Sequence, residues 1–206
     1  TAEWNGDTRG SDVRIRTADG EIDVRLPLPG KHNVMNALAA CAVSMAAGAD
    51  LAAVKRGLES LSAVAGRFNV YNLPGEITLI DDSYNANPES LNAALNVLSL
   101  ADGDSWLVLG DMGELGETGA ALHAEAGRKA RAAGVARLYA LGELAAHAAE
   151  AFDGPGGAYA TLDEMLTALQ ADLSGPLHIL VKGSRSMRME RVVAALGGSK
   201  DRGGKH

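Results

Sequence analysis

The sequence has one cysteine, Cys41, in 206 residues, so an internal disulfide is impossible and the usage fits a reducing compartment. Aromatic residues make up only 4% of the chain, while alanine occurs 37 times, so any core must be built from small aliphatic side chains. No run approaches the roughly 18–20 consecutive apolar residues that a bilayer span needs. Thr1–Gly10 carries no signal-peptide pattern. The expectation is a cytoplasmic protein with no membrane insertion. Lys and Arg are absent between Arg67 and Arg128, where Glu76, Asp81, Asp82, Glu89, Asp102, Asp104, Asp111, Glu114, Glu117 and Glu125 accumulate. Such a field repels a polyanion, because duplex affinity comes largely from cations on phosphates, so nucleic acid is excluded as an expected partner. No G-x-x-x-x-G-K-[ST] sequence occurs, so these residues hold no Walker-type phosphate cradle. What is present, 47% apolar and 22% charged residues, can bury a core and excludes a wholly disordered chain. The length suits one large or two small domains.

Residues 12–28 read as two strands. Val13 and Ile15 alternate with charged residues, Ala18-Asp19-Gly20 supplies a turn, and Ile22, Val24 and Leu26 alternate again before Pro27 and Pro29. From His32 the period becomes helical, with Val34, Leu38, Cys41 and Met45 on one stripe ending at Gly48. Asp50 can N-cap a second helix carrying Leu51, Val54, Leu58 and Leu61. These elements make a poor independent core, and they read as the end of a larger domain.

After Ala65-Gly66 apolar runs recur at Ile77–Ile80, Trp106–Leu109, Leu138–Leu141 and Leu177–Val181. Between them lie helical stripes Leu91/Leu95/Leu98, Leu122/Ala126/Ala130/Ala133 and Leu162/Met165/Leu169/Leu173, and Met189/Val192/Val193/Leu196 follows. Strand–helix alternation predicts an α/β fold, a mainly parallel sheet with helices on both faces. Phe68–Leu73 predicts an added antiparallel strand.

Ligands of such sheets gather beyond the carboxyl ends of the strands. Three of those ends are polar: Asp81–Pro88, Gly110–Glu117 and Lys182–Ser186. The Gly110/Gly113/Gly116 loop is not a G-x-G-x-x-G fingerprint. Asn87-Pro88 can also be a plain helix entry, with Asn87 as its cap. Asn33 and Asn36 stand three apart at a helix start, a spacing that puts both amides on one face, and an asparagine amide matches adenine through N6 and N7. A cap at Asn33 with a solvated Asn36 is the alternative. Arg67 can meet a phosphate with two N–H donors or pair with a nearby acid. Lys182 and Arg185 can bind an anion or neutralise the acidic loops. His123, His147 and His178 fall on a helix, a helix and a strand without ligand spacing, so no metal site is expected in this chain.

Gly30-Lys31-His32-Asn33-x-x-Asn36-Ala37, Gly66-Arg67-Phe68, Asp81–Pro88, Gly110–Gly116 and Lys182-Gly183-Ser184-Arg185, in this order, resemble the Mur ligases, ATP-dependent amide ligases of peptidoglycan synthesis. The Asp81–Pro88 and Gly110–Gly116 loops are similar to those of members that join D-Ala-D-Ala to UDP-MurNAc-tripeptide. The resemblance implies that residues 1–64 are the tail of a central ATPase α/β domain, 65–197 a C-terminal Rossmann-like domain and 198–206 a flexible tail. It implies ATP and Mg2+ as cofactors and a monomer. A UDP-binding domain, the phosphate loop and the metal ligands, a carbamylated lysine among them, are expected upstream, so this chain is expected to be inactive alone.

By the same resemblance His32, Asn33 and Asn36 contact adenine, Asp82 holds the ribose hydroxyls and Arg67 reaches the γ-phosphate. These nucleotide contacts are expected on two walls brought together by domain closure. Ser83, Tyr84, Asn85, Asn87, Lys182, Ser184 and Arg185 belong to loops over the acceptor peptide. Tyr84 stands where glutamate-adding members have a lysine, which argues against that substrate. The implied reaction turns the tripeptide carboxylate into an acyl phosphate, which the dipeptide amine attacks. Two rival readings are a receiver-like domain phosphorylated among Asp81, Asp82, Asp111 and Lys182, and a non-catalytic nucleotide-binding piece.

Overall fold

The structure, a computed structural model, describes residues 1–62 and 64–198, so the tail expected at 198–206 falls, after Gly198, outside the described residues. Two compact units are present, Thr1–Ala63 and Val64–His206.

In the first unit β1 (Ala2–Asp7), β2 (Gly10–Thr17) and β3 (Gly20–Leu26) form an antiparallel sheet in the order β1-β2-β3. Val13, Ile15, Val24 and Leu26 line one face and pack with Val34, Ala37 and Cys41 of α1 (Lys31–Ala46) and Val54 and Leu58 of α2 (Leu51–Glu59). The opposite face is a ladder of cross-strand ion pairs, Arg14–Asp23, Arg16–Glu3, Arg16–Glu21 and Arg25–Asp12. Exposed pairs of this kind each contribute little, so burial of the apolar face carries the unit. Asp50 caps α2 by accepting from the Ala53 N–H at 2.6 Å, while Leu61 lies beyond the helix and is exposed. Strand β1 escapes the sequence reading because Ala2-Glu3-Trp4-Asn5-Gly6-Asp7 has no apolar alternation.

The second unit is a six-stranded sheet in the order β4-β5-β9-β6-β7-β8. β4 (Asn69–Leu73) runs antiparallel to β5 (Ile77–Asp82). β9 (Leu177–Lys182), β6 (Asp104–Gly110), β7 (Arg137–Leu141) and β8 (Gly156–Tyr159) continue parallel to β5. Strand residues alternate between two cores. Ile80, Leu107, Leu109, Leu138, Ala140 and Leu180 face α3 (Pro88–Leu98), α4 (Gly119–Ala132) and α5 (Glu143–Phe152). Leu79, Trp106, Val108, Tyr139, Ile179 and Val181 face α6 (Leu162–Asp172) and α7 (Glu190–Ala195). The fold is therefore α/β, a mainly parallel sheet covered on both faces.

The buried stripe of α4 differs from the expected one. It runs through Gly119, His123, Ala126, Gly127 and Ala130, with Leu122 only half-buried. The cause is close approach: a Cβ on Gly127 would come within 2.0 Å of the Ala148 carbonyl oxygen in α5. Small residues, not leucines, make that helix contact. No helix among the described residues is long and apolar enough to cross a membrane.

Candidate active site at the strand ends of the second unit

β9 enters the sheet between β5 and β6. The helices that follow β5 and β6 cover one face, while α7, which follows β9, covers the other. The chain thus diverges to opposite faces from neighbouring strand ends, the topology that opens a crevice for ligands. Register brings Lys182 opposite Asp82 on one side and Leu109 on the other, so the three polar strand ends anticipated from sequence lie side by side.

Lys182 is the most deeply placed charge there, with its side chain 2% exposed against 17% for Asp82. Its ammonium donates to Asp82 Oδ2 at 2.5 Å and to the Asn85 carbonyl at 3.0 Å. Burial pushes the Asp82 carboxyl up from the usual carboxylate range, against the opposing pull of Lys182 and of the nearby Phe68 backbone. Of the two sequence readings of Lys182, the geometry shows the neutralising one. Asp81 is also buried and accepts from the Ser83 N–H at 3.1 Å and the Ser83 hydroxyl at 2.5 Å.

The loop after β6 is fixed from several directions. Asp111 Oδ1 accepts from the Ala145 N–H at 2.7 Å, serving the start of α5 from another strand. The Asp111 carbonyl accepts from the Ser184 N–H at 2.9 Å and the Ser184 hydroxyl at 2.6 Å, joining the loops after β6 and β9. His123, fully buried, accepts the Met112 N–H on Nε2 at 2.8 Å, so its Nδ1 carries the proton toward the Gly119 carbonyl at 2.7 Å. A neutral imidazole thus holds the loop. Sequence reasoning missed this role; the available signal was a histidine on the same stripe as Ala126 and Ala130.

Arg67 is exposed, and among the described residues it forms no ion pair despite the acidic stretch around it. Its guanidinium carbon lies 4.6 Å from the centroid of the Tyr84 ring, and that of Arg185 lies 5.9 Å from the same ring. The Tyr84 N–H donates to the Gly66 carbonyl at 2.9 Å. Gly66 has φ +73°, and a Cβ there would sit 3.0 Å from the Tyr84 nitrogen, so the turn before Arg67 needs a glycine.

The other expected acceptor residues divide by exposure. Ser83, Lys182 and Ser184 are buried and spend their polar atoms inside the protein. Asn87 forms a capping box at the start of α3, its Oδ1 accepting from the Ser90 N–H at 2.7 Å. Asn85 is exposed, with Oδ1 accepting from the Ala86 N–H. Arg185 is exposed and pairs with Glu190 at 3.3 Å. In the first unit, Gly30 is the cap position of α1, and Asn33 Nδ2 donates to the Pro29 carbonyl at 2.7 Å. His32 and Asn36 are exposed on the first turns of α1.

The described residues contain no group of three or more His, Cys, Asp or Glu able to hold a metal ion. The described residues therefore make no complete magnesium site.

Residues 66–185 match the family described as Mur ligase, glutamate ligase domain, and residues 1–44 match the Mur ligase middle domain. The chain is 44% identical over 191 residues to the UDP-N-acetylmuramoyl-tripeptide–D-alanyl-D-alanine ligase of Escherichia coli (strain K12), covering 92% of this chain and 42% of that protein. A crystal structure of MurF from Acinetobacter baumannii matches with a TM-score of 0.87 at 34% identity, over 96% of this chain and 44% of the other. The MurF ligase of Thermotoga maritima in complex with ADP matches with a TM-score of 0.78 at 25% identity, over 94% and 44% of the two chains. The chain spans less than half the length of these relatives. With the strand-end topology, the Gly66-Arg67 turn and the family match over residues 66–185, the chain belongs to the Mur ligase family.

Proposed function

We propose that this chain is part of an ATP-dependent amide ligase that joins D-Ala-D-Ala to UDP-MurNAc-tripeptide in peptidoglycan synthesis. Residues 1–64 supply the end of the central ATPase domain and 65–197 the C-terminal domain. The observation that carries this reading is Arg67, a guanidinium that lies over Tyr84, just after β5, and has no carboxylate partner among the described residues. A phosphoryl group in transfer spreads charge over its oxygens, and a free arginine edge meets that charge where it develops.

In this reading Asn33 and Asn36, beside His32, contact adenine, and Asp82 takes the ribose hydroxyls with the oxygen that Lys182 leaves available. Arg67 meets the γ-phosphoryl group as the tripeptide carboxylate becomes an acyl phosphate. Asn85 and Arg185, exposed on the loops after β5 and β9, face the acceptor dipeptide, while Ser83, Lys182, Ser184 and Asn87 hold those loops in shape. The same reading carries a cytoplasmic monomer that uses Mg2+ held by residues outside this stretch.

The receiver-like alternative loses its acceptor. Lys182 is committed to Asp82 and Asn85, Asp81 to Ser83, and Asp111 to Ala145. The test is phosphate release from ATP by the longer protein. The ligase reading expects release that requires both UDP-MurNAc-tripeptide and D-Ala-D-Ala, and release indifferent to the dipeptide would refute it.

A further inference from the structure

We infer that Tyr84 is a positioning residue for Arg67, a ring that orients the guanidinium while leaving its N–H edge open to an anion; this rests on the ligase reading above. A guanidinium in a stretch with ten carboxylates and no other cation ordinarily ends on one of them. Arg67 instead lies over Tyr84 at 4.6 Å. The two kinds of partner have different consequences. A carboxylate takes up the N–H edge and cancels the charge, whereas a ring attracts the cation through its face and leaves the donors unused. Ordering by a ring also lowers the rotamer entropy that the long side chain must give up when it meets its ligand.

The ring is itself held. The Tyr84 N–H donates to the Gly66 carbonyl, one residue before the arginine it supports. Asn69, two residues after, pairs with Asp81 in the β4–β5 ladder. The turn bearing Arg67 is therefore fastened on both sides to the segment bearing Tyr84. Arg185 meets the same ring at 5.9 Å, but part of its charge is taken by Glu190. One ring thus carries one committed guanidinium and one that is open. Tyr84 is 44% exposed, so shortening it leaves no cavity in the core.

The experiment compares Tyr84→Leu and Tyr84→Phe in the longer ligase. Tyr84→Leu is expected to lower kcat about three- to tenfold with the KM values for ATP and dipeptide within about twofold. Tyr84→Phe, which keeps the ring face, is expected to recover most of that loss. In an Arg67→Ala background Tyr84→Leu is expected to have no further effect. An unchanged kcat with a raised dipeptide KM in Tyr84→Leu would overturn the inference, since the ring would then contact the acceptor directly. A second readout needs no ligase activity. In this chain the Arg67 Nε–Hε NMR signal, assigned by its loss in Arg67→Lys, is expected to be ring-shifted and to move back in Tyr84→Leu. A signal that does not respond to Tyr84→Leu overturns the inference even if the longer protein is a ligase. A responsive signal beside dipeptide-independent phosphate release supports the hold of Tyr84 on Arg67 and refutes the ligase reading alone.

Discussion

Replacing Lys182 with methionine keeps the length of the side chain and removes its charge, leaving Asp82 ionised without its partner. The two side chains are 2% and 17% exposed, so this is a buried pair. Breaking such a pair from one side costs about 3–5 kcal/mol. Asp82 keeps a partly open edge, its side chain 17% exposed, which places the expected loss near the lower end, about 3 kcal/mol. For a domain of this size that is a fall in Tm of about 10 °C, readable by denaturant or thermal unfolding.

The pH dependence gives the sharper check. The folded Asp82 carboxyl is raised by burial, so the folded state binds this proton more readily than the unfolded state. Stability linked to it is present below the unfolded value and is lost as pH rises through the folded value. Removing Lys182 takes away an opposing pull, so the folded value climbs and the cost at neutral pH grows. The gap between the wild type and Lys182→Met is therefore expected to narrow as pH falls toward the carboxylate range, about pH 4. Adding Asp82→Asn is expected to recover at least half of the lost stability at neutral pH. A gap that is flat with pH, or a double variant no more stable than Lys182→Met, would refute the reasoning.

Asn87→Ala removes the acceptor for the Ser90 N–H and is expected to cost about 1 kcal/mol in unfolding free energy, with Asn87→Asp losing much less. Gly127→Ala places a methyl group against the Ala148 carbonyl, and overpacking of this kind is expected to cost about 1–3 kcal/mol; an unchanged Tm would show that α4 and α5 part freely.

The four inner parallel strands were legible because burial on both faces leaves continuous apolar runs, and Ile77–Ile80 and Leu177–Val181 announce β5 and β9 without regard to the rest of the chain. β1 and β8 were not, because Glu3-Trp4-Asn5 and Gly156-Gly157 pair through backbone alone and carry no apolar alternation. The site shows the same division. The motifs located the three loops, and Asn87-Pro88 announced its own cap. The partner of Lys182 could not be read locally, since Asp82 lies 100 residues away and meets it only when β9 enters beside β5. A histidine on the alanine stripe of α4 pointed to burial but not to Met112 and Gly119 as the partners of its nitrogens. Arg67 allowed two sequence readings, ion pair or phosphate contact, and the geometry removes the first among the described residues.

The most direct test of the account is Arg67→Ala in the longer protein, with turnover and ATP affinity measured on the same preparation. An arginine that meets charge as the phosphoryl group transfers predicts a fall in kcat of about a hundredfold or more with ATP binding within a fewfold of wild type. ATP affinity reduced as much as kcat/KM, with turnover of bound substrates unchanged, would contradict it.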